Sequence, residues 1–328
     1  MYREPKYKTI VHFVEDRIRQ GELKLGDHIP SVNAFRIRFG LSRSSIFLAM
    51  QELKSRGIIE AEPAVGYFVI SDNIQVEEKV LLLFNELNAF KEELYTTILE
   101  EIGNKAKVEI MFHHYDRHVF ETLLRDAEGR FTSYVLMPGK FRGLAPVLDR
   151  IQGKVFLLDH YQDDICTLFP GVRQDFEQDT YDALLQGLDA IGKYHTLALV
   201  QRDVKEPEER YKGIRRFCEE FGFGSLLVPT ITGSALHKGT LYLTPSDGEL
   251  AAIIKKADAR HLEIGSDIGV ISFNDTPLKE VLCGGITTLS TDFCQMGRTL
   301  SALVVGRHTG NGASAIRNPW MLIRRRSL

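Results

Sequence analysis

Arg43, Ser44, Phe47 and Gln51 recur on one side of a helical run, and their side chains suit the edges of nucleic-acid bases. A guanidinium can fork onto two acceptors of a guanine, and an aromatic ring can pack on a thymine methyl. Arg43 and Phe47 are the candidates for these two contacts. Tyr7, Lys8, Arg36, Lys54 and Arg56 surround that face with groups that can reach phosphate oxygens. Phe47 also has an ordinary reading, in which its ring tucks into the local core.

Three helices and two strands are expected to hold these residues. YKTIVHFVEDRIRQG carries Ile10, Phe13, Val14, Arg17 and Ile18 at helical spacing, and Gly21 ends it. Ser31 is the expected N-cap of a second helix that buries Val32, Phe35 and Phe39. Gly40 makes the turn, Ser42 caps a third helix, and Ile46, Ala49, Met50 and Leu53 form that helix's inner side. GIIEAE and GYFVIS read as two short strands joined through Pro63-Ala64-Val65. The pattern is a winged helix-turn-helix over residues 1–72, with its third helix placed to enter a major groove.

The strings GELKLGDHIPS, FGLSRSSI, ELKSRGIIE and GYFV resemble the DNA-binding domain of the GntR family of bacterial transcription regulators. The resemblance covers about the first 70 residues and implies further DNA contacts at Ser31, Asn33, Ser42 and Gly66. This chain departs from the family in three places. Val32-Asn33-Ala34 removes the usual acidic and arginine pair after the serine, Phe47 replaces a second arginine, and the wing tip is Glu62-Pro63-Ala64-Val65-Gly66. Glu62 repels phosphate, so the wing is not expected to grip the minor groove as it does in the family.

The chain has 328 residues and a net charge of −3, enough length for two or three domains. Residues 1–72 hold eleven Lys/Arg against nine Asp/Glu, hence +2, which leaves −5 on the rest. A slightly basic head on an acidic body suits a regulator better than a protein that coats nucleic acid. Cys166, Cys218, Cys283 and Cys294 form no C-x-x-C pair, which excludes the usual zinc and redox motifs. With no apolar leader and no run long enough to span a bilayer, the expected location is cytoplasmic.

SDNIQVEE reads as a linker, assigned to residues 73–78, ahead of a body over 79–328. In that body, strand-length apolar runs alternate with amphipathic segments. VLLLF, VEIMF, SYVLMP and KVFLLD come first, then TLALV, SLLVP, TLYL and IGVISF. Buried parallel strands separated by helices make doubly wound α/β sheets, and two sets suggest two lobes. No phosphate loop, nucleophile elbow or H-E-x-x-H helix is present. HHYDRH brings His114 and His118 four apart but offers no third metal ligand, so it reads as a solvated helix start.

LNAFKEEL, VFLLDH, VRQDFEQDTYDAL, EERYKGIRRF, TPSDGELA, DIGVISFNDTPL and ITTLSTDFCQMGRTL resemble the effector domain of LacI/GalR-type repressors and the related periplasmic sugar-binding proteins. The whole arrangement is similar to arabinose- or fucose-responsive repressors of bacteria. The resemblance implies a type I periplasmic-binding-protein-like body. Lobe 1 would be about 79–160 plus 292–310 and lobe 2 about 161–290 plus 311–328, with three crossings that form a hinge. It also implies a homodimer on a palindromic operator, no cofactor, no metal and no enzymatic activity.

By the same resemblance, the ligand contacts fall on Asn88, Phe90, Asp159, His160, Asp175, Phe176, Arg210, Ser246, Asp247, Asn274 and Asp292. These types suit a neutral monosaccharide such as L-arabinose or L-fucose, because carboxylates, amides and a guanidinium bond neighbouring hydroxyls. One arginine against several aspartates argues against a phosphorylated sugar, and two phenylalanines offer little stacking for a purine. A regulator sensing a purine or a phosphorylated sugar stays the alternative, with a GntR-headed aminotransferase-like enzyme behind it. Some of these residues also have structural readings: Asp175 and Asp247 as helix caps, Arg210 as a bridge to Glu206 or Glu209, and Trp320 as core.

Overall fold

The structure, a computed structural model, describes residues 6–63, 65–72, 78–202, 206–306 and 315–328. Ala64 of the expected wing tip, residues 73–77 of the expected linker and the lobe limit expected at 310/311 lie outside the described residues.

The head consists of α1 (Lys8–Arg19), α2 (Val32–Phe39) and α3 (Arg43–Ser55), followed by β1 (Ile59–Glu62) and β2 (Gly66–Val69). Ser31 and Ser42 cap α2 and α3, accepting from the backbone N–H groups of Ala34 and Ser45 at 3.2 Å each. Gly40 ends α2 at φ +64°, a conformation that costs other residues a Cβ clash. Ile10, Val14, Phe35, Ile46, Ala49, Met50 and Leu53 are buried together, as the helical spacing predicts. Each full-sized apolar side chain there contributes roughly 1.5–3 kcal/mol. Phe13, Val32 and Phe39 are only partly buried at the edge of this cluster, and Arg17 lies 5.0 Å over the Phe13 ring. β1 and β2 pair antiparallel, Ile59 with Val69 and Glu62 with Gly66.

The body runs β3 (Glu78–Phe84), α4 (Ala89–Ile102), β4 (Ala106–Phe112), α5 (Arg117–Asp126), β5 (Ser133–Leu136), α6 (Ala145–Leu148), β6 (Lys154–Asp159) and α7 (Asp163–Cys166). It continues through β7 (Gly171–Arg173), α8 (Phe176–Leu185), α9 (Leu188–Ile191), β8 (Thr196–Val200), α10 (Glu209–Phe221), β9 (Gly224–Val228), β10 (Thr240–Thr244) and α11 (Asp247–Ala259). The chain ends with β11 (Gly269–Phe273), α12 (Pro277–Val281), β12 (Thr287–Thr291), α13 (Phe293–Val304), β13 (Ala315–Arg317) and β14 (Trp320–Ile323).

By its packing the chain divides into two units. One holds Met1–Glu86, Leu99–Gly171 and Ser301–Ser314; the other holds Leu87–Ile98, Val172–Leu300 and Ala315–Leu328. The first has parallel strands in the order β4-β3-β5-β6. The second has the sheet β14-β12-β11-β10-β8-β9, parallel except for β14, which runs antiparallel to β12. Residues 161–171 thus fall with the first unit and not with lobe 2 as expected, and residues 87–98 and 292–300 fall with the second unit, whereas the expected boundaries put them in lobe 1. Two contacts account for their pairing: Phe90 stacks on Phe293 at 5.0 Å, and Gly297 sits so close to α4 that a Cβ would lie 3.0 Å from the Thr97 side chain. The start of α13 is in turn bonded to Asn318.

Each of the eight apolar runs contains one strand. The last three strands are less apparent in the sequence, and β12 shows why. Its TTLST is buried throughout although it is mostly hydroxylated. The hydroxyls of Thr287 and Thr291 donate to the carbonyls of Arg325 and Asn318, so neighbouring chain satisfies the polar groups. In the same unit α8 packs tightly on α10 at Gly213, where a Cβ would lie 2.3 Å from the Glu177 carbonyl oxygen. That close approach fixes the N-terminal turn of α10, which carries Arg210.

Candidate DNA-reading and ligand-binding sites

In the head, the α3 face emerges largely as expected. Arg43 and Ser44 are exposed and Gln51 is half-buried. Phe47 is 47% exposed, so its ring is not part of the core. Phe47, Gln51, Lys54 and Tyr67 line one shallow depression between α3 and the strands. The Ser42 hydroxyl lies 2.9 Å from those of Ser44 and Ser45, so two expected contacts also serve the cap. Asn33 and Arg36 are exposed on α2, and Gly66 opens β2 at φ +128°.

The cations divide into two groups. Arg36, Arg43 and Lys54 are exposed and belong to no ion pair among the described residues. Lys8 donates to Glu52 at 2.7 Å, with Tyr7 beside it, half-buried. Arg56 does not face outward, contrary to expectation. Its side chain is 4% exposed and is clasped by Glu15 of α1 and Glu52 of α3. Arg56 follows Glu52 by one helical turn on the side of α3 that packs on α1, and that packing brings Glu15 to it. Arg56 therefore joins α1 to α3 and is not placed at the phosphate-facing surface.

In the second unit, Asp175, Phe176, Arg210, Asp247 and Asn274 form one connected set at strand ends and helix starts. Arg210 is 4% exposed and lies over the rings of Phe176 (5.0 Å), Phe273 (4.9 Å) and Trp320 (5.8 Å). It also pairs with Glu206, so the expected bridge exists, with the guanidinium set among three aromatic rings. Its Nε–H and the Oε1 of Gln201, both buried, have no hydrogen-bond partner among the described residues. An unmade hydrogen bond on a buried polar atom is costly, which marks both atoms as able to take a ligand's hydroxyls.

Lys279 connects the rest of the set. Its Nζ donates to the carbonyls of Phe273 and Asn274 at 2.8 Å each and lies 3.3 Å from Asp247. Burial holds this ammonium below the usual lysine range. Asn274 follows β11 at φ +59°. Asp175 caps α8, accepting from Gln178 N–H at 3.1 Å, as the cap reading allows. Ser246 caps α11, and Asp247 stands in that helix's first turn.

A separate group in this unit comprises Asn88, which caps α4 through Lys91 N–H (3.2 Å), Phe90, and Asp292, which accepts from Gln295 N–H (2.7 Å). Asp159 and His160 belong to the other unit. Asp159 closes β6 at φ +72° and is buried, and the His160 carbonyl accepts from Gly139 N–H at 2.9 Å. The sequence reading missed Gln201, Gln174, Phe273 and Lys279, and assigned Trp320 to the core. Trp320 is buried as expected, and its indole N–H donates to Gln174. Gln201 and Gln174 each follow a strand end, which is the signal that would have found them. No group of three or more metal-ligating side chains occurs among the described residues.

The sheet orders and strand-end residues are those of a two-lobed α/β binding body behind a winged helix-turn-helix. Residues 164–328, half of the chain, match the family described as "Periplasmic binding protein-like domain", and the chain belongs to that family. Residues 6–69 match "Bacterial regulatory proteins, gntR family". Over 86 residues the chain is 30% identical to the mannosyl-D-glycerate transport/metabolism system repressor MngR of Escherichia coli, covering 26% of this chain and 36% of MngR.

The chain spans only 15% to 36% of the length of the curated relatives it matches. Two solved structures resemble the body, each covering 76% of this chain. One is a probable maltose operon transcriptional repressor malR from Staphylococcus aureus, with TM-score 0.64, 13% identity and 97% of that chain covered. The other is a periplasmic binding protein/LacI transcriptional regulator from Alkaliphilus metalliredigens complexed with D-xylulofuranose, with TM-score 0.60, 14% identity and 98% of that chain covered. These likenesses show the fold. No described helix is long and apolar enough to cross a membrane.

Proposed function

We propose that this protein is a sequence-specific transcription regulator, a repressor of a carbohydrate-utilisation operon, whose body binds a small neutral sugar. The observation that carries the reading is Arg210. It is buried against three aromatic rings, and its Nε–H and the buried Gln201 Oε1 have no hydrogen-bond partner among the described residues. Apolar ring faces combined with a few polar atoms suit the two faces of a sugar. Glu206 already balances the guanidinium, which disfavours a phosphorylated ligand and supports a neutral one such as L-arabinose or L-fucose.

In the head, Arg43 and Phe47 read bases, while Arg36 and Lys54 meet phosphates. Two heads on a palindrome double a contact set that is small in one copy. The test is a sugar panel scored by thermal shift, followed by operator titrations with and without the sugar that stabilises the protein. If no sugar stabilises it, the ligand class is wrong. If stabilisation leaves operator affinity unchanged, the regulatory reading is wrong.

A further inference from the structure

Asp179 is a carboxylate with no solvent exposure, one turn into α8, where helix packing alone would favour an apolar or small residue. One of its oxygens accepts from Asp175 N–H at 2.7 Å, the residue that opens the helix at the ligand set. The other is held by Arg317, whose Nε donates at 2.8 Å and whose second nitrogen lies at 2.6 Å. Arg317 also spans to Asp182 at 2.7 Å. The guanidinium of β13 thus reaches Asp175 through one intervening carboxylate.

The next residue makes the matching connection on the other side. Asn318 N–H donates to the Arg173 carbonyl at 2.8 Å, two residues before Asp175. Its side-chain N–H₂ donates to the Thr291 hydroxyl at 2.6 Å and the Asp292 carbonyl at 3.0 Å, and the Thr291 hydroxyl donates to the Asn318 carbonyl at 3.1 Å. Asn318 is itself buried. Segments 173–175, 291–292 and 317–318 are distant in sequence, and each lies next to a point where the chain enters or leaves this unit or a candidate ligand residue.

We propose that Arg317 and Asn318 are positioning residues that hold Asp175, through Asp179, and Asp292 directly, so that they set the geometry of the effector site. The proposal rests on the effector-binding reading of that site for its consequence, but the positioning itself can be read without a ligand. Only an ionised Asp179 accepts fully on both sides; an amide in its place would present a donor to either Arg317 or Asp175 N–H. Burial pushes the Asp179 carboxyl up to about 6, with Arg317 opposing. The charged groups around it are Arg317 on β13, Asp175 at the cap of its helix and Asp182 on that helix. On α10, Arg216 and Glu220 are engaged by Gln178 and Tyr181.

The experiment measures amide hydrogen exchange on the full chain at pH 7.5 and pH 5, for wild type, Asp179→Asn, Arg317→Gln, Arg317→Lys and Asn318→Leu. Arg324→Gln, which breaks only an exposed pair with Asp189, is the control. Trp320 fluorescence verifies that each variant is folded. The expected result is lost protection over 172–180 in Asp179→Asn and Arg317→Gln, partial rescue in Arg317→Lys, and lost protection at 295–296 in Asn318→Leu.

Wild type should lose protection at the Asp175 amide at pH 5, where about one Asp179 in ten stays ionised, and Asp179→Asn should show no such change. Titration with L-arabinose and L-fucose should follow the same pattern, with affinity about tenfold weaker at pH 5 for wild type only. Folded Arg317→Gln with wild-type protection over 172–180 would overturn the proposal. So would a wild-type pH profile identical to that of Asp179→Asn. If wild type binds neither sugar while the exchange pattern holds, the ligand reading fails and the positioning role stands.

Discussion

Arg56 separates a structural role from a DNA-contacting one, and the two predict opposite results. Its side chain is 4% exposed and pairs with Glu15, 9% exposed, and Glu52, 17% exposed. Arg56→Ala leaves the buried Glu15 carboxylate with His12, at 3.1 Å, as its remaining partner, a loss of about 3 kcal/mol, the low end for breaking a buried pair. In a domain of 60–100 residues each kcal/mol shifts the melting temperature by roughly 4–8 °C, so the head's transition should fall by more than about 12 °C. The double change Glu15→Met with Arg56→Met should recover most of that loss, because apolar side chains of similar volume replace such pairs at little cost. Calorimetry on the full chain reads the head, and Trp320, the chain's one tryptophan, reports the body separately. At a temperature where Arg56→Ala is folded, the salt dependence of operator binding should match wild type. A head of wild-type stability whose salt slope drops by about one would place Arg56 on a phosphate and refute the structural assignment.

Three further outcomes follow from the same geometry. Arg43→Ala should lose about 1–3 kcal/mol at one guanine position per half-site, measured by competition with single-base operator variants. Lys54→Gln should weaken all sequences alike and lower the salt slope by about one, since Lys54 is exposed and forms no ion pair among the described residues. Asp179, raised from 3.8 to about 6 by burial, binds its proton more tightly folded than unfolded. Its contribution is fully present below pH 4 and lost as pH rises through 6, about 3 kcal/mol in all. Urea unfolding of wild type and Asp179→Asn across that window should differ in slope by this amount, since the other carboxylates titrate alike in both.

Much of the head was legible because its signals are local. Ser31 and Ser42 before apolar periodicity mark caps, Gly40 marks a left-handed turn, and burial at Ile46, Ala49, Met50 and Leu53 follows from spacing alone. Arg56 was misread because a cation near a helix end looks solvated until Glu15, forty-one positions away in sequence, is brought under it. In the body, runs such as VLLLF announce buried strands, whereas TTLST hides one because its hydroxyls find carbonyl partners in the C-terminal segment. The placement of the candidate ligand residues was legible where a residue ends a strand or opens a helix, as at Asp175 and Asn274. Lys279 was not, since nothing local to a lysine on a five-residue helix indicates that its ammonium will hold the carbonyls of Phe273 and Asn274.

The central claim is that a neutral sugar held at Arg210 and Gln201 changes the affinity of the head for DNA. The most direct measurement is operator titration, on a site obtained by in vitro selection, for wild type, Arg210→Gln and Gln201→Leu with and without the stabilising sugar. At about a hundredfold over its dissociation constant the sugar should add roughly 2.7 kcal/mol to the wild-type body. It should also shift wild-type operator affinity, while both variants keep their sugar-free affinity and lose both responses. Variants that respond to the sugar as wild type does would contradict the account.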